Sequence, residues 1–241
     1  MKLPGGWSLP DTIVQRFGDN FGKQRAMVAD GHLLLILHKL PQWGERKRKA
    51  VLFWRAPNGD WQTTLGGKGL PALQQHLKSY EKAEIAFDER YDQAGTAEEY
   101  FRLLEELAPV LHAAQNLYAT LQSAREAVTS DKNLIAHRDA AANLTRNLEL
   151  IHQSARNGLD FEIARQAESQ ARLSEESIRI ANRLNIIAAI FLPLTAVAGL
   201  FGMNLPSGLS QESPVIFWVI LVAAFVLGFA LKGWVTSDTK T

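Results

Sequence analysis

The chain has 241 residues, with 26 Lys and Arg against 25 Asp and Glu, and no cysteine. Disulfides, thiolate metal sites and cysteine nucleophiles are therefore excluded. The formal net charge of +1 gives little support for a nucleic-acid partner, because residues 46–49 form the only compact basic run. The six histidines form no HExxH motif, and no phosphate-loop or dinucleotide fingerprint occurs, so we expect neither enzymatic activity nor a resident cofactor.

The first third of the chain favours an α+β arrangement. Residues 1–10 lack the apolar core of a secretory signal, so we expect the soluble part to stay on the side of synthesis. Residues 26–28, 32–38 and 50–56 are rich in Leu, Val, Phe and Trp, and Asp30-Gly31 and Asn58-Gly59 are hairpin-type turns. These patterns predict a small antiparallel sheet.

Helix-forming residues follow Gly69 almost without interruption, apart from a break near Gly95. Thr96 and Glu99 fit a capping box, which predicts a helix from there to about Val128. Ser130 or Asp131 can cap the next helix. Since Asn157-Gly158 is the only strong breaker before Pro193, we expect a helical hairpin followed by a long stalk.

Two uncharged stretches, residues 184–211 and 213–231, close the sequence. Each is long enough to cross a hydrocarbon core of about 30 Å, which requires roughly 20 helical residues. Lys and Arg lie before the first stretch and after the second but not between them, so both termini are predicted to be cytoplasmic and the connection external. A lipid bilayer is the first partner that this pattern indicates.

The stalk carries a seam of mostly small or polar residues at steps of 3 and 4, continuing from Ala164 to Gly202. Within the first uncharged stretch the seam consists of Asn185, Ala188, Leu192, Thr195 and Gly199. A tight two-stranded coiled coil would favour Leu, Ile and Val at such positions. Small residues indicate either very close helix approach or a wet lumen about a symmetry axis, and we favour the lumen.

The first stretch ends in Gly202-Met203-Asn204, preceded within the helix by Pro193-Leu-Thr195. A glycine followed by asparagine is also a common signal for the end of a helix, so the triplet is informative only together with the segments around it. With two terminal spans and a long charged helix before them, residues 160–235 closely resemble the CorA family of divalent-cation channels. This resemblance is carried by the Gly-Met-Asn triplet, the family's hallmark.

The resemblance implies a homopentamer that carries Mg²⁺ across the cell inner membrane, with the first spans lining the pore. Gly202, Met203 and Asn204 would select the ion, the Asn204 amide oxygen accepting hydrogen bonds from its water shell. Asn185, Ala188, Leu192, Thr195 and Gly199 would line the pore. Leu192, together with Leu184, is our expected hydrophobic gate, because apolar rings stop ions by dewetting.

The residue patterns together with the resemblance predict six regions in chain order. They are an α+β region (1–95), a helical hairpin with the stalk (96–183), a first transmembrane helix (184–204), an external loop (205–213), a second transmembrane helix (214–232) and a cytosolic tail (233–241).

Two departures from the family pattern keep other functions open. The external loop contains one acid, Glu212, where family members often carry more, and the soluble region of about 180 residues is short. A zinc transporter of the same superfamily and a membrane-anchored scaffold or sensor that does not conduct are the alternatives. Regulatory cation sites cannot be matched, and Glu162, Glu168 and Glu175 are candidates by position alone.

Overall fold

The computed structural model describes residues 4–17, 22–45, 47–202 and 214–237. The chain divides into two compact units, Met1–Ala164 and Arg165–Thr241. In order, the elements are α1 (Asp11–Val14), β1 (Arg25–Ala29), β2 (His32–His38), β3 (Ala50–Arg55), β4 (Trp61–Thr63), α2 (Gly69–Gln93), α3 (Ala97–Ala127), α4 (Lys132–Gly202) and α5 (Pro214–Ser237).

The four strands form one antiparallel sheet in the order β1-β2-β3-β4. The three predicted strands are confirmed to within one or two residues at their ends, and β4 is a short fourth strand that the prediction did not include. Asp30 and Gly31 both have positive φ, 49° and 77°, as the predicted two-residue hairpin requires. Ala29 accordingly pairs with His32 across the turn.

Both faces of the sheet are covered, which explains the unbroken apolar run in β2. Leu33, Leu35 and Leu37 face the main core, which is built with α2, α3 and the first part of α4. Leu34 and Ile36 face the other side, where Ile13 of α1 completes a smaller core. The five consecutive apolar residues of β2 are therefore all fully buried.

The break predicted near Gly95 and the capping box after it are confirmed. α2 ends at Gln93 and α3 begins at Ala97. The Thr96 hydroxyl accepts a hydrogen bond from the Glu99 amide, and the Glu99 carboxylate accepts one from the Thr96 amide. These bonds satisfy backbone donors that the helix itself leaves without partners.

The expectation that Asn157-Gly158 breaks the chain between hairpin and stalk is wrong. α4 runs through both residues as part of a single 71-residue helix. Gly158 instead makes room for the Tyr100 ring, since a Cβ at this position would lie 2.7 Å from the ring Cζ. The Tyr100 hydroxyl donates to the Ala94 carbonyl at 2.9 Å, so the ring is held at this contact. A packing requirement, and not a turn, explains the glycine.

Asp131 joins the sheet to the beginning of α4. It is 7% exposed, and its carboxylate accepts hydrogen bonds from Arg55 of β3 at 2.8 Å and from the Trp61 indole of β4 at 3.1 Å. It also caps α4, because its other oxygen accepts from the Asn133 amide at 3.0 Å. Burial opposes ionisation, but these hydrogen bonds outweigh it and hold the pKa of Asp131 below its ordinary value.

This anchor predicts a specific pH dependence of stability. Because the folded-state pKa is lowered, the contribution of Asp131 is fully present above the unfolded-chain pKa of about 3.9 and is lost as pH falls through the lower folded-state value. Asp131→Asn keeps a capping oxygen but leaves the Arg55 charge unpaired, so we expect a loss of roughly 3 kcal/mol at pH 7. The loss should shrink below about pH 4. Urea unfolding followed by circular dichroism measures it.

Asp139→Asn is the matched control, since Asp139 is half exposed and its 3.2 Å pair with Arg138 lies at the surface. We expect a change within about 0.5 kcal/mol for this variant. A loss at Asp131→Asn that does not vary with pH would contradict the assigned role of the charge.

Candidate functional site

Within the described ranges, one helix is long and apolar enough to cross a membrane. It is the Lys132–Leu200 part of α4, and none of its most apolar window is buried within the chain. A shorter apolar segment, Trp218–Ala230, lies in α5. Much of the apolar surface of these two helices is therefore exposed within the part of the chain that the structure describes.

The predicted seam lies on the uncovered side of α4. Asn185, Thr195 and Gly199 are exposed, and Ala188 is partly buried. Leu192 is 67% exposed. The predicted second gate residue, Leu184, is 61% exposed.

α5 packs against a different side of α4. A Cβ on Gly228 would lie 3.3 Å from both the Cα and the carbonyl oxygen of Ile190, so the two backbones are in close contact here. Ala224, one turn earlier on α5, is 4% exposed. Apart from Ala188, the partly buried residues of this stretch of α4 share the Ile190 side, and they are Ile186, Ala189, Ile190, Pro193, Leu194 and Val197.

The two sides of α4 are nearly opposite. At about 100° per residue, the centre of the seam lies roughly 150° from the centre of the side that meets α5. Packing of α5 therefore leaves the seam free to meet other copies of the chain or water. Sequence reasoning missed the residues that set this arrangement, although Ala224 and Gly228 at i,i+4 form the small-xxx-small pattern typical of close helix contact.

Pro193 lies inside α4 and cannot donate to the carbonyl of Ala189, four residues earlier. That carbonyl oxygen lies 3.6 Å from the position of a Gly228 Cβ, on the side that faces α5. Thr195, on the seam, donates its hydroxyl to the Phe191 carbonyl at 2.7 Å, which leaves the lone pairs of its oxygen available as acceptors.

Gly202 is the last residue of α4. Met203 and Asn204, the other two expected selectivity residues, lie outside the described residues.

Two of the acidic residues of the stalk that were candidates for a cation site are paired or buried. Glu168 forms an i,i+4 ion pair with Arg172 at 2.6 Å, and Glu162 is 8% exposed. Across residues 4–17, 22–45, 47–202 and 214–237, no group of three or more His, Asp or Glu side chains could hold a metal ion.

These features define a class of protein: an α+β domain followed by a long helix with an apolar segment of membrane length. The family model of the CorA-like Mg²⁺ transporter protein matches residues 102–235, which is more than half of the chain. The chain belongs to this family, and divalent-cation transport is the activity that membership indicates.

Two solved structures are similar to the chain. The full-length CmaX protein has 15% sequence identity and a TM-score of 0.54, with 96% of this chain and 80% of that chain covered. The CorA magnesium transporter from Methanocaldococcus jannaschii has 13% identity and a TM-score of 0.43, with 92% and 81% covered. No curated protein matches the sequence.

The contact at Gly228 yields a prediction about the second unit. Gly228→Leu should force α5 away from Ile190 and lower the thermal midpoint in detergent, because the side chain would meet backbone atoms that cannot shift locally. Gly233→Leu is the matched control on the same helix, since a Cβ at Gly233 meets nothing within 4 Å. Equal effects of the two substitutions would contradict the close helix contact.

Proposed function

We propose that the chain is a homopentameric channel that passes hydrated Mg²⁺ through the cell inner membrane into the cytoplasm. The observation that carries the proposal is the face of α4 that α5 leaves uncovered, because this face holds the polar oxygens of Asn185 and Thr195 within an uncharged helix. Such groups are costly in contact with lipid and are expected to face a bundle interior or water. Membership of the CorA-like Mg²⁺ transporter family supports the same function.

In the proposed assembly, α4 from each copy surrounds the pore and α5 forms the second transmembrane helix outside it. Asn185, Ala188, Leu192, Thr195 and Gly199 line the lumen. Small side chains leave room for an ion that keeps its water, which suits Mg²⁺ because it dehydrates reluctantly. Both termini lie in the cytoplasm in this arrangement, as the distribution of Lys and Arg predicts.

Selection is assigned to Gly202, Met203 and Asn204 at the outer mouth. Five Asn204 amide oxygens and the neighbouring backbone carbonyls would accept hydrogen bonds from the water shell of the ion. A ring of this kind recognises the size and geometry of a hydrated octahedral ion, whereas charge alone would attract many cations equally.

The gate is assigned to Leu192, with Leu184 as a second apolar ring nearer the cytoplasm. Both leucines are exposed in the single chain and lie on or beside the seam. When such rings are narrow, water leaves the constriction and an ion cannot pass.

Ion flux into liposomes tests the proposed activity. Purified protein should take up Mg²⁺, and Asn204→Ala should lower uptake about tenfold or more, which corresponds to a permeation barrier raised by at least about 1.4 kcal/mol. Parallel assays with Zn²⁺, Co²⁺ and Ni²⁺ and an imposed proton gradient identify the preferred ion and any coupling. Zn²⁺ uptake that exceeds Mg²⁺ uptake would favour the zinc transporter, and absence of flux for every ion would favour the scaffold or sensor.

The gate predicts a gain of flux. Leu192→Ala should raise basal Mg²⁺ uptake several-fold, because a smaller ring at this level stays wet. Leu194→Ala is the matched control, since Leu194 lies on the side of α4 that meets α5 and is partly buried there. That variant should change stability and leave basal uptake near the wild-type rate. The gate assignment fails if the two variants raise uptake equally, or if neither does.

A further inference from the structure

The connection between β2 and β3 presents an exposed tryptophan beside an apolar cavity. Trp43 is 64% exposed, although burial of a tryptophan is normally favourable. It lines a cavity of about 180 Å³ together with Leu40, Pro41, Phe87 and Val110. We name this surface the Trp43 face.

The Trp43 face carries a basic rim. Between Lys39 and Lys49 the sequence has five Lys and Arg and a single Glu. Lys47, Arg48 and Lys49 are all exposed, and Lys49 pairs with Glu45 at 2.5 Å. Arg90, at the edge of the cavity, is already paired with Glu106 at 2.6 Å. The remaining charge suits a partner that offers an apolar side chain surrounded by carboxylates.

Helix α2 carries an exposed apolar side chain surrounded by carboxylates. Ile85 is 55% exposed, and its neighbours at three and four residues are Glu81, Asp88 and Glu89, with Lys82 as the one cation. Burial and then the negative charges of Asp88 and Glu81 raise the pKa of the adjacent Glu84, against a hydrogen bond with Asn147. We name this surface the Ile85 face, and its local charge is negative.

The two faces lie on opposite sides of α2. Phe87 and Arg90, which belong to the cavity of the Trp43 face, point about 150° away from Ile85 at about 100° per residue. The faces therefore cannot meet within one chain. Complementary patches on opposite sides of a subunit form heterologous, head-to-tail contacts, which close into rings when the rotation permits.

We infer that the Trp43 face of each copy packs against the Ile85 face of the next copy around the ring. This inference rests on the proposed homo-oligomer and names a contact that holds its cytosolic units together. Ile85 enters the apolar cavity, while Lys47 and Arg48 lie opposite Glu81 and Asp88. Since the charges are near the surface, the contact weakens as salt shortens the screening length from about 10 Å at 0.1 M to about 3 Å at 1 M.

Cysteine cross-linking in the full-length chain tests the contact directly, because the natural sequence has no cysteine. Trp43→Cys and Ile85→Cys are introduced into separate chains, and the two chains are co-expressed so that they assemble together. The purified mixture is treated with a short bis-maleimide in detergent. A cross-linked dimer is expected for the mixture and not for either variant alone. The chain that carries both substitutions should give a ladder of dimers and higher species.

Leu150→Cys is the matched control for Ile85→Cys. Leu150 is exposed to a similar degree, 58%, but its neighbours at three and four residues are Arg146, Asn147, Gln153 and Ser154, with no carboxylate among them. Mixed with Trp43→Cys, it should give no dimer. Dimers of Trp43→Cys with itself would show a two-fold contact and overturn the head-to-tail arrangement, as would equal yields with Leu150→Cys and Ile85→Cys.

Charge reversal separates the electrostatic part of the contact from simple proximity. Lys47→Glu with Arg48→Glu should lower the cross-link yield several-fold at 0.1 M salt, and Glu81→Lys with Asp88→Lys in the same chain should restore it. If neither pair of substitutions changes the cross-link yield, the proposed charge complementarity between the two faces is overturned.

Mg²⁺ uptake measured on the same preparations distinguishes this inference from the proposed function. An intact, conducting oligomer that gives no Trp43–Ile85 cross-link disproves the contact and leaves the channel. A cross-linked ladder without flux for any ion disproves the channel and leaves the contact.

Discussion

The close approach of α5 to α4 at Gly228 decides which face of α4 is covered in the second unit. Lipid supplies little hydrophobic drive for two apolar helices to associate, so small residues that allow backbone contact become decisive. Gly228 and Ala224 provide that surface and meet the Ile190 side of α4. The choice of side decides which residues of α4 can line the proposed pore, because the covered face of α4 cannot also line a lumen.

What remains uncovered is the face with Asn185, Thr195 and Gly199. The side-chain oxygens of Asn185 and Thr195 are compatible with water and poorly suited to lipid, and Gly199 adds little volume. Leu192 places one large apolar side chain on this face, and in the proposed pore it would form the apolar ring. The proposed conduction path thus depends on α5 as much as on the residues that would line it, although α5 contributes no group to the lumen.

In the first unit, Asp131 has an analogous organising role. One carboxylate connects β3, β4 and the first turn of α4, so the sheet and the long helix share a buried polar contact. The complementary Trp43 and Ile85 faces lie on the surface of this same unit. Because both flank α2, which packs on the sheet and on α3, a rigid core holds the two surfaces in a fixed relation.

Much of this protein could be predicted from the sequence because the signals are local. The capping box at Thr96, the Asp30-Gly31 turn and the uncharged stretch after Leu184 each act over a few residues or through simple periodicity. β4 escaped prediction because three residues carry too little pattern. The prediction at Gly158 was wrong because a glycine in a helical sequence usually indicates a break. Here the glycine makes room for the ring of Tyr100, 58 positions away along the chain.

The sequence by itself determined the α+β class, the helical stalk, the apolar span and the family resemblance, all of which rest on composition, spacing and short motifs. Only the tertiary structure decided which side of α4 is covered, that the Ala189 carbonyl lies near α5, and which charged faces lie on opposite sides of α2. The physical reason is that side-chain faces become distinct only when another element packs on one of them, and such contacts join residues that no local pattern connects.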